Sequence, residues 1–239
     1  MKFFLLSRSR ALITVMVTDL ALLRLLQLVS PGLPIGAYCY SQGLERAVDD
    51  GWISNADDAD AWIGGVMEHS LTHIDLPLLA RLYDAWACGN MEKVDYWSKM
   101  LIACRETAEL RAEDRQTGQA LARLLDSLAI ADMQLWLRKP EATLATLFAF
   151  SAVHAGIPRR ETAIGYLWTW LENQVLCAVK LVPLGQVAGQ RLLINLAEKI
   201  PTLVDKALTI ADDDIGGSAF GLALASSRHE MQYSRLFRS

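Results

Sequence analysis

Cysteine is scarce in this chain. Its four copies, Cys39, Cys88, Cys104 and Cys177, are scattered and form no C-x-x-C pair. That spacing excludes a patterned zinc site and a disulfide framework, and it reads as reduced, mostly buried thiols. Histidine is as rare, at four residues, so no His-rich tract is available for metal storage. Basic residues give no excess either: 23 Lys plus Arg stand against 27 Asp plus Glu, a net charge of -4. No cationic footprint for nucleic acid follows. The phosphate-binding pattern G-x-x-x-x-G-K-[ST] does not occur, and GGSAFG at 216–221 lacks its lysine. No run of about 18 uninterrupted apolar residues predicts a membrane span. No stretch alternates apolar and polar residues long enough for a strand, and there is no internal repeat, linker or low-complexity tract.

What remains is helical. Of 239 residues 52% are hydrophobic, with a mean hydropathy of +0.21, which calls for a large core or for apolar surface that meets a partner. Period-3.6 patterns predict an all-α, single-domain bundle of about ten helices with a flexible C-terminal tail. The expected helices are 20–29; 42–50, capped by Ser41 and ended by Gly51; 56–73, capped by Asn55; and 75–87. Two long ones follow, 91–105 and 106–130, nearly continuous. Then come 140–155, 161–182, a helix in GQVAGQRLLINLAEK (185–199), 201–210, and 215–226 capped by Asp212 to Asp214. Residues 1–15 read as a disordered extension, with Met16 an alternative initiator. The domain then spans 16–226, and 227–239 is a partner-binding tail.

Candidate chemistry is thin. The stretch SPGLPIGAYCYSQGLE (30–45) packs two prolines, three glycines and two tyrosines between helices, as catalytic loops do, yet offers no acid, base or metal ligand before Glu45. His69 and His73 lie four apart, a spacing that metal-binding helices use, but the intervening residues are Ser-Leu-Thr, with no general base. Cys39 is one unactivated thiol beside tyrosines. The acidic pairs sit where helices start, and capping accounts for them. RETAELRAEDRQTGQALARLL (105–125) reads alone as an exposed helix laced with opposite charges. Two functional alternatives stay open on these residues: a metal carrier using His69 and His73, with Cys39 as a further ligand, and a small helical enzyme whose pocket is lined by Tyr38, Tyr40 and Glu45.

Four segments taken together resemble the UreF family of urease accessory proteins. They are LLQLVSPGLPIGAYCYSQGLERAV (25–48), RETAELRAEDRQTGQ (105–119), KLVPLGQVAGQRLL (180–193) and RHEMQYSRLFRS (228–239). The resemblance implies an all-helical, non-enzymatic, cytoplasmic protein without a cofactor. It would dimerise, bind the accessory subunit UreD (UreH in some species) and recruit the GTPase UreG, so that nickel reaches apo-urease. It further implies that the tail orders on binding UreD/UreH, and that Tyr38 and Arg235 pair to build the surface UreG recognises. Tyr40 and Glu45 of the loop, with Arg228, Tyr233, Leu236 and Phe237 of the tail, join that partner-binding set. Gly185 and Gly189 put small residues on one helix face, beside a stripe of Gln186 and Gln190. Internal packing and an interface role are equally open for them, and the resemblance favours a place near the dimer contact.

Overall fold

Five helices are started by short polar side chains that accept a hydrogen bond from a backbone N–H of the first turn. Thr18, Asn55, Asn90, Thr107 and Thr143 do this for the helices that follow them. In a computed structural model of the chain, which describes residues 17–130 and 133–239, eleven α-helices result. They are α1 (Asp19–Leu28), α2 (Leu44–Asp49), α3 (Ala56–Val66), α4 (Asp75–Ala87), α5 (Met91–Ala103), α6 (Ala108–Ser127), α7 (Leu144–His154), α8 (Arg159–Leu181), α9 (Gln186–Ala197), α10 (Ile200–Ala207) and α11 (Phe220–His229). No strand occurs among the described residues, so the all-α expectation holds. The expectation for residues 1–15 lies outside them.

Several boundaries differ from the sequence reading, each for a local reason. The helix expected over 56–73 stops at Val66 and passes into a π-turn at Met67–Leu71, where Thr72 N–H reaches back five residues to the Met67 carbonyl. The near-continuous pair 91–130 is broken before Thr107, which caps α6. The helix expected from Pro140 begins only after Thr143. Asp212–Asp214 form a short 3-10 turn, and α11 starts later, at Phe220.

The core is centred on α4, which packs against α5, α7, α8 and α10. Its Leu76, Leu78, Leu79 and Leu82 are fully buried, each stabilising the fold by about 1.5–3 kcal/mol. α9 lies along α8, and the glycine stripe explains half of that contact. A Cβ on Gly189 would come within 2.5 Å of Val179 Cγ2, whereas one on Gly185 would meet open space. Gly189 therefore serves internal packing.

The segment 105–119 is not the solvated helix its charges suggest. Arg105 is enclosed where α4, α5 and α6 meet. Its Nη1 and Nη2 donate to Asp75 at 3.0 and 2.5 Å, and its Nε donates to Asp114 at 2.5 Å. Burial alone would favour the neutral guanidine, but the carboxylates of Asp114 and Asp75 hold the group well above its ordinary pKa. A charge so placed ties the start of α4 and the exit of α5 to the second turn of α6.

Candidate tail-docking site

The proline- and glycine-rich loop is held from both sides. Gly36 is left-handed (φ 75°), a 3-10 turn follows at Ala37–Cys39, and Gln42 and Gly43 turn the chain into α2 at φ 52° and 78°. Position 43 needs glycine twice over, since a Cβ there would also lie 2.9 Å from the Ser226 nitrogen of α11. On the α8 side, Asn173 Nδ2 donates to the Tyr40 carbonyl at 2.9 Å, and Trp170 Nε1 donates to Gln42 Oε1 at 2.7 Å. On the α6 side, Tyr40 Oη donates to Gln116 Oε1 at 2.7 Å, and Gln42 Nε2 donates to Glu113 Oε1 at 2.8 Å. The loop is thus a rigid strap between α6 and α8.

Onto this strap the C-terminal tail is folded. Arg238 N–H donates to the Cys39 carbonyl at 2.8 Å, and the Ser41 N–H and Oγ both donate to the Ser239 carbonyl, at 2.7 and 2.6 Å. Glu45 accepts from two consecutive tail amides, Leu236 (2.6 Å) and Phe237 (2.9 Å). Backbone donors to a carboxylate are strong contacts, and here they fix the tail irrespective of its side chains. Phe237 is buried, with Lys180 Nζ 5.5 Å from its ring centre. Ser239 Oγ donates to Glu113 Oε2 at 3.1 Å. Burial pushes the Glu113 carboxyl up to about 7, against the pull of the Gln42 and Ser239 hydrogen bonds.

The expected flexible tail is therefore seated on its own domain, and the expected Tyr38–Arg235 pair is replaced by other contacts. Arg235 Nη1 meets Glu109 Oε1 at 2.8 Å, and the guanidinium also donates to the carbonyls of Gln232 and Glu230. Tyr38 is exposed and lines a shallow groove with Leu28, Val29, Glu172 and Leu176. Arg228 pairs with Asp50 at 3.0 Å and lies over the Trp52 ring. Tyr40, Glu45 and Phe237 are buried within the chain, so in this fold they hold the tail. Tyr233 and Leu236 face outward, as do Gln186 and Gln190 on α9.

Of the residues that receive the tail, the sequence singled out Glu45 but not those on α6. Glu109, Glu113 and Gln116 follow one another at i, i+4 and i+7 on α6, a polar stripe that helical spacing could have revealed. Ser41, Gln42 and His229 carried no such signal.

The groups proposed for other chemistries do not converge. His69 lies within the π-turn at Met67–Leu71, so the regular-helix spacing argument for His69 and His73 lapses there. His73 Nε2 lies 3.1 Å from Lys206 Nζ, and burial, with Lys206 and His69 nearby, lowers its pKa. No grouping of three or more His, Cys, Asp or Glu suited to a metal occurs among the described residues. A cavity of about 60 Å³ beneath the loop is lined by Gln42, Asp75, Arg105, Glu113, Asp114 and Tyr166 among others, but not by Tyr38, Tyr40 or Glu45. Among the described residues, no helix is long and apolar enough to cross a membrane.

Comparison with known proteins agrees with the four segments. The UreF family profile matches residues 53–197. The chain is 53% identical over 220 residues to the urease accessory protein UreF of Alkalilimnicola ehrlichii, covering 92% of this chain and 96% of the relative. It is 50% identical over 224 residues to the protein of that name in Pseudomonas putida (93% and 99% covered). The Teredinibacter turnerae protein is 50% identical over 218 residues (91% and 98% covered). The chain belongs to the UreF family of urease accessory proteins, and urease maturation is its field of action.

Proposed function

We propose that this member of the UreF family is a non-catalytic scaffold. It binds UreD/UreH and recruits UreG in the cytoplasm, and the assembly inserts nickel into apo-urease. The observation that supports this reading is how the tail is seated. Glu45 and Phe237 fix its backbone, and Met231, Tyr233 and Leu236 are left 87%, 104% and 64% exposed. Large side chains on an already ordered backbone suit a binding hot spot, because little further ordering opposes association. A homodimer within the complex is part of the proposal. The outer face of α9, with exposed Val187 and Ile194 beside Gln186 and Gln190, combines apolar area with amide donors and acceptors.

The test is co-purification of UreD/UreH and UreG with the full chain from cells expressing the urease cluster. Tyr233→Ala is the informative variant, since its ring is fully exposed and its loss leaves the seated tail intact. Arg235→Ala is less clean, because that guanidinium also holds Glu109. Truncating a hot-spot residue costs about 2 kcal/mol, some thirtyfold in affinity. Tyr233→Ala and Tyr38→Ala should therefore lose the partners, and His69→Ala should keep them. If His69→Ala abolishes urease activation while both tyrosine variants stay active, the scaffold reading fails and a metal carrier replaces it.

A further inference from the structure

The cavity beneath the loop is walled by polar atoms that the chain does not pair with one another. Tyr166 of α8 and Ser70 of the π-turn both line it, and both are more than nine-tenths buried, at 7% and 6% exposure. The Tyr166 ring packs edge-on against Phe148, 5.3 Å between centres, and its Oη has no hydrogen-bond partner among the described residues. The Ser70 carbonyl accepts from the His73 and Ile74 amides, but its Oγ is equally without a partner among them. Asp114 supplies a third such atom. Arg105 donates to its Oδ2, and no described residue donates to its Oδ1.

Leaving buried polar atoms unmet is costly, and native structures meet nearly all of them through protein or ordered water. Whatever meets these three must donate to a carboxylate and also satisfy two hydroxyls. Burial, with the Asp75 and Asp114 carboxylates close by, holds the Tyr166 phenol well above its ordinary pKa, so it stays an O–H donor that needs an acceptor. The same carboxylates turn an anion away. A metal ion has no grouping of three or more His, Cys, Asp or Glu suited to it among the described residues, and it would meet the Arg105 guanidinium in the same wall. Water both donates and accepts. It also fits by size, since one molecule takes about 10–15 Å³ and the cavity of about 60 Å³ admits about four.

We propose that the cavity is a built water site, in which about four ordered waters bridge the Tyr166 hydroxyl, the Ser70 hydroxyl and the open oxygen of Asp114, joining α8, the π-turn and α6 beneath the loop. The waters complete the hydrogen bonding that the Arg105 contacts leave unfinished. They also give the π-turn a task, because it carries Ser70 to the cavity wall. Gln42, which ties the loop to Trp170 and Glu113, lines the same cavity, so the seat of the tail rests on this hydrated floor. A few enclosed waters are not bulk solvent, and the charges of Asp75 and Asp114 still depend on Arg105. The site is a property of the chain alone, whatever partner the tail meets.

The experiment has two arms, both on the full chain. The first reads nuclear Overhauser contacts between water and the ring protons of Tyr166 and Phe148, which both line the cavity. Contacts of the sign that marks held water are expected there, and none at the methyls of Leu76 and Leu82, which are fully buried and lie outside the cavity wall. The second arm is denaturant unfolding of Tyr166→Phe. If the hydroxyl is bonded to held water, its loss should lower the folded-to-unfolded ratio about fivefold, the effect of one hydrogen bond. In a dry cavity the same change removes an unmet polar atom, and the ratio should hold or rise. Ser70→Ala should act like Tyr166→Phe, and the double variant should lose less than the product of the two, because both hydroxyls hold the same waters. Rings without water contacts overturn the site, and so does a Tyr166→Phe chain as stable as the wild type. Stabilisation by one alkali cation over another at equal ionic strength would put a cation in the cavity and overturn it as well. Should Tyr166→Phe fail to fold, Ser70→Ala and the wild-type water contacts decide the matter.

Discussion

The packing around α4 and the seat of the tail are held together by different means. Around α4, four leucines spaced along one helix are buried against neighbouring helices, and any side chain of similar shape would serve. At the tail, a handful of polar groups from α2, α6, α8 and the last ten residues meet through directed hydrogen bonds, and none can be exchanged for a hydrophobe of its size. The first arrangement is tolerant and stable. The second is specific and separable, because undoing it exposes little apolar surface beyond Phe237. A region that can detach without unfolding the core is built in the second way.

The sharpest way to break this contrast is Arg105→Ala, since it strikes a polar group inside the tolerant region. Removing it leaves Asp75 and Asp114 buried without their counter-charge. Stability should fall by about 3–5 kcal/mol, measured as a lowered urea midpoint of the helical signal. A loss below about 1 kcal/mol would mean that water reaches the triad.

Glu113 gives the next largest effect, through pH. Its carboxyl is raised from an ordinary 4.5 to about 7, so the folded chain holds the proton more tightly than the unfolded chain. That contribution is fully present below about pH 4.5 and is lost as pH rises through about 7, by up to about 3 kcal/mol. Denaturant unfolding of Glu113→Gln should show a flatter dependence on pH over this window than the wild type. Equal slopes would place Glu113 in contact with solvent.

Phe237→Ala should separate the two regions. Global stability should change by about 1 kcal/mol or less, because the tail can leave its seat without unfolding the helices, while trypsin cleavage after Arg235 should become much faster. A large drop in the global midpoint with an uncleaved tail would make the tail part of the main cooperative unit. The smallest effect belongs to Tyr233→Ala, which should leave thermal stability within about 0.5 kcal/mol of wild type.

The same contrast governs what could be read from the sequence. Leu76, Leu78, Leu79 and Leu82 sit in a stretch whose helical period and Pro77 predicted α4 at its observed limits, because periodicity and capping are local properties. Asn55 was legible as a cap for the same reason. Arg105, Glu109 and Glu113 were read as solvated, since a charged helix face looks the same whether it meets water or a folded-back tail. Glu45 stood out as the first acid of the loop, but its two amide donors lie 191 and 192 residues away. No local rule connects such positions. The loop's glycines did announce a fixed backbone that receives a partner or the chain's own tail, but not that Ser41 and Glu45 would hold that tail.

On the proposed function, Glu45 seats the tail and the seated tail recruits partners. The most direct test is Glu45→Ala, scored in one preparation for tryptic cleavage of the tail and for retention of UreD/UreH and UreG. Cleavage after Arg235 should become rapid and both partners should be lost, with the α-helical core unchanged. A tail that stays protected, or partners fully retained on a released tail, would contradict the proposal.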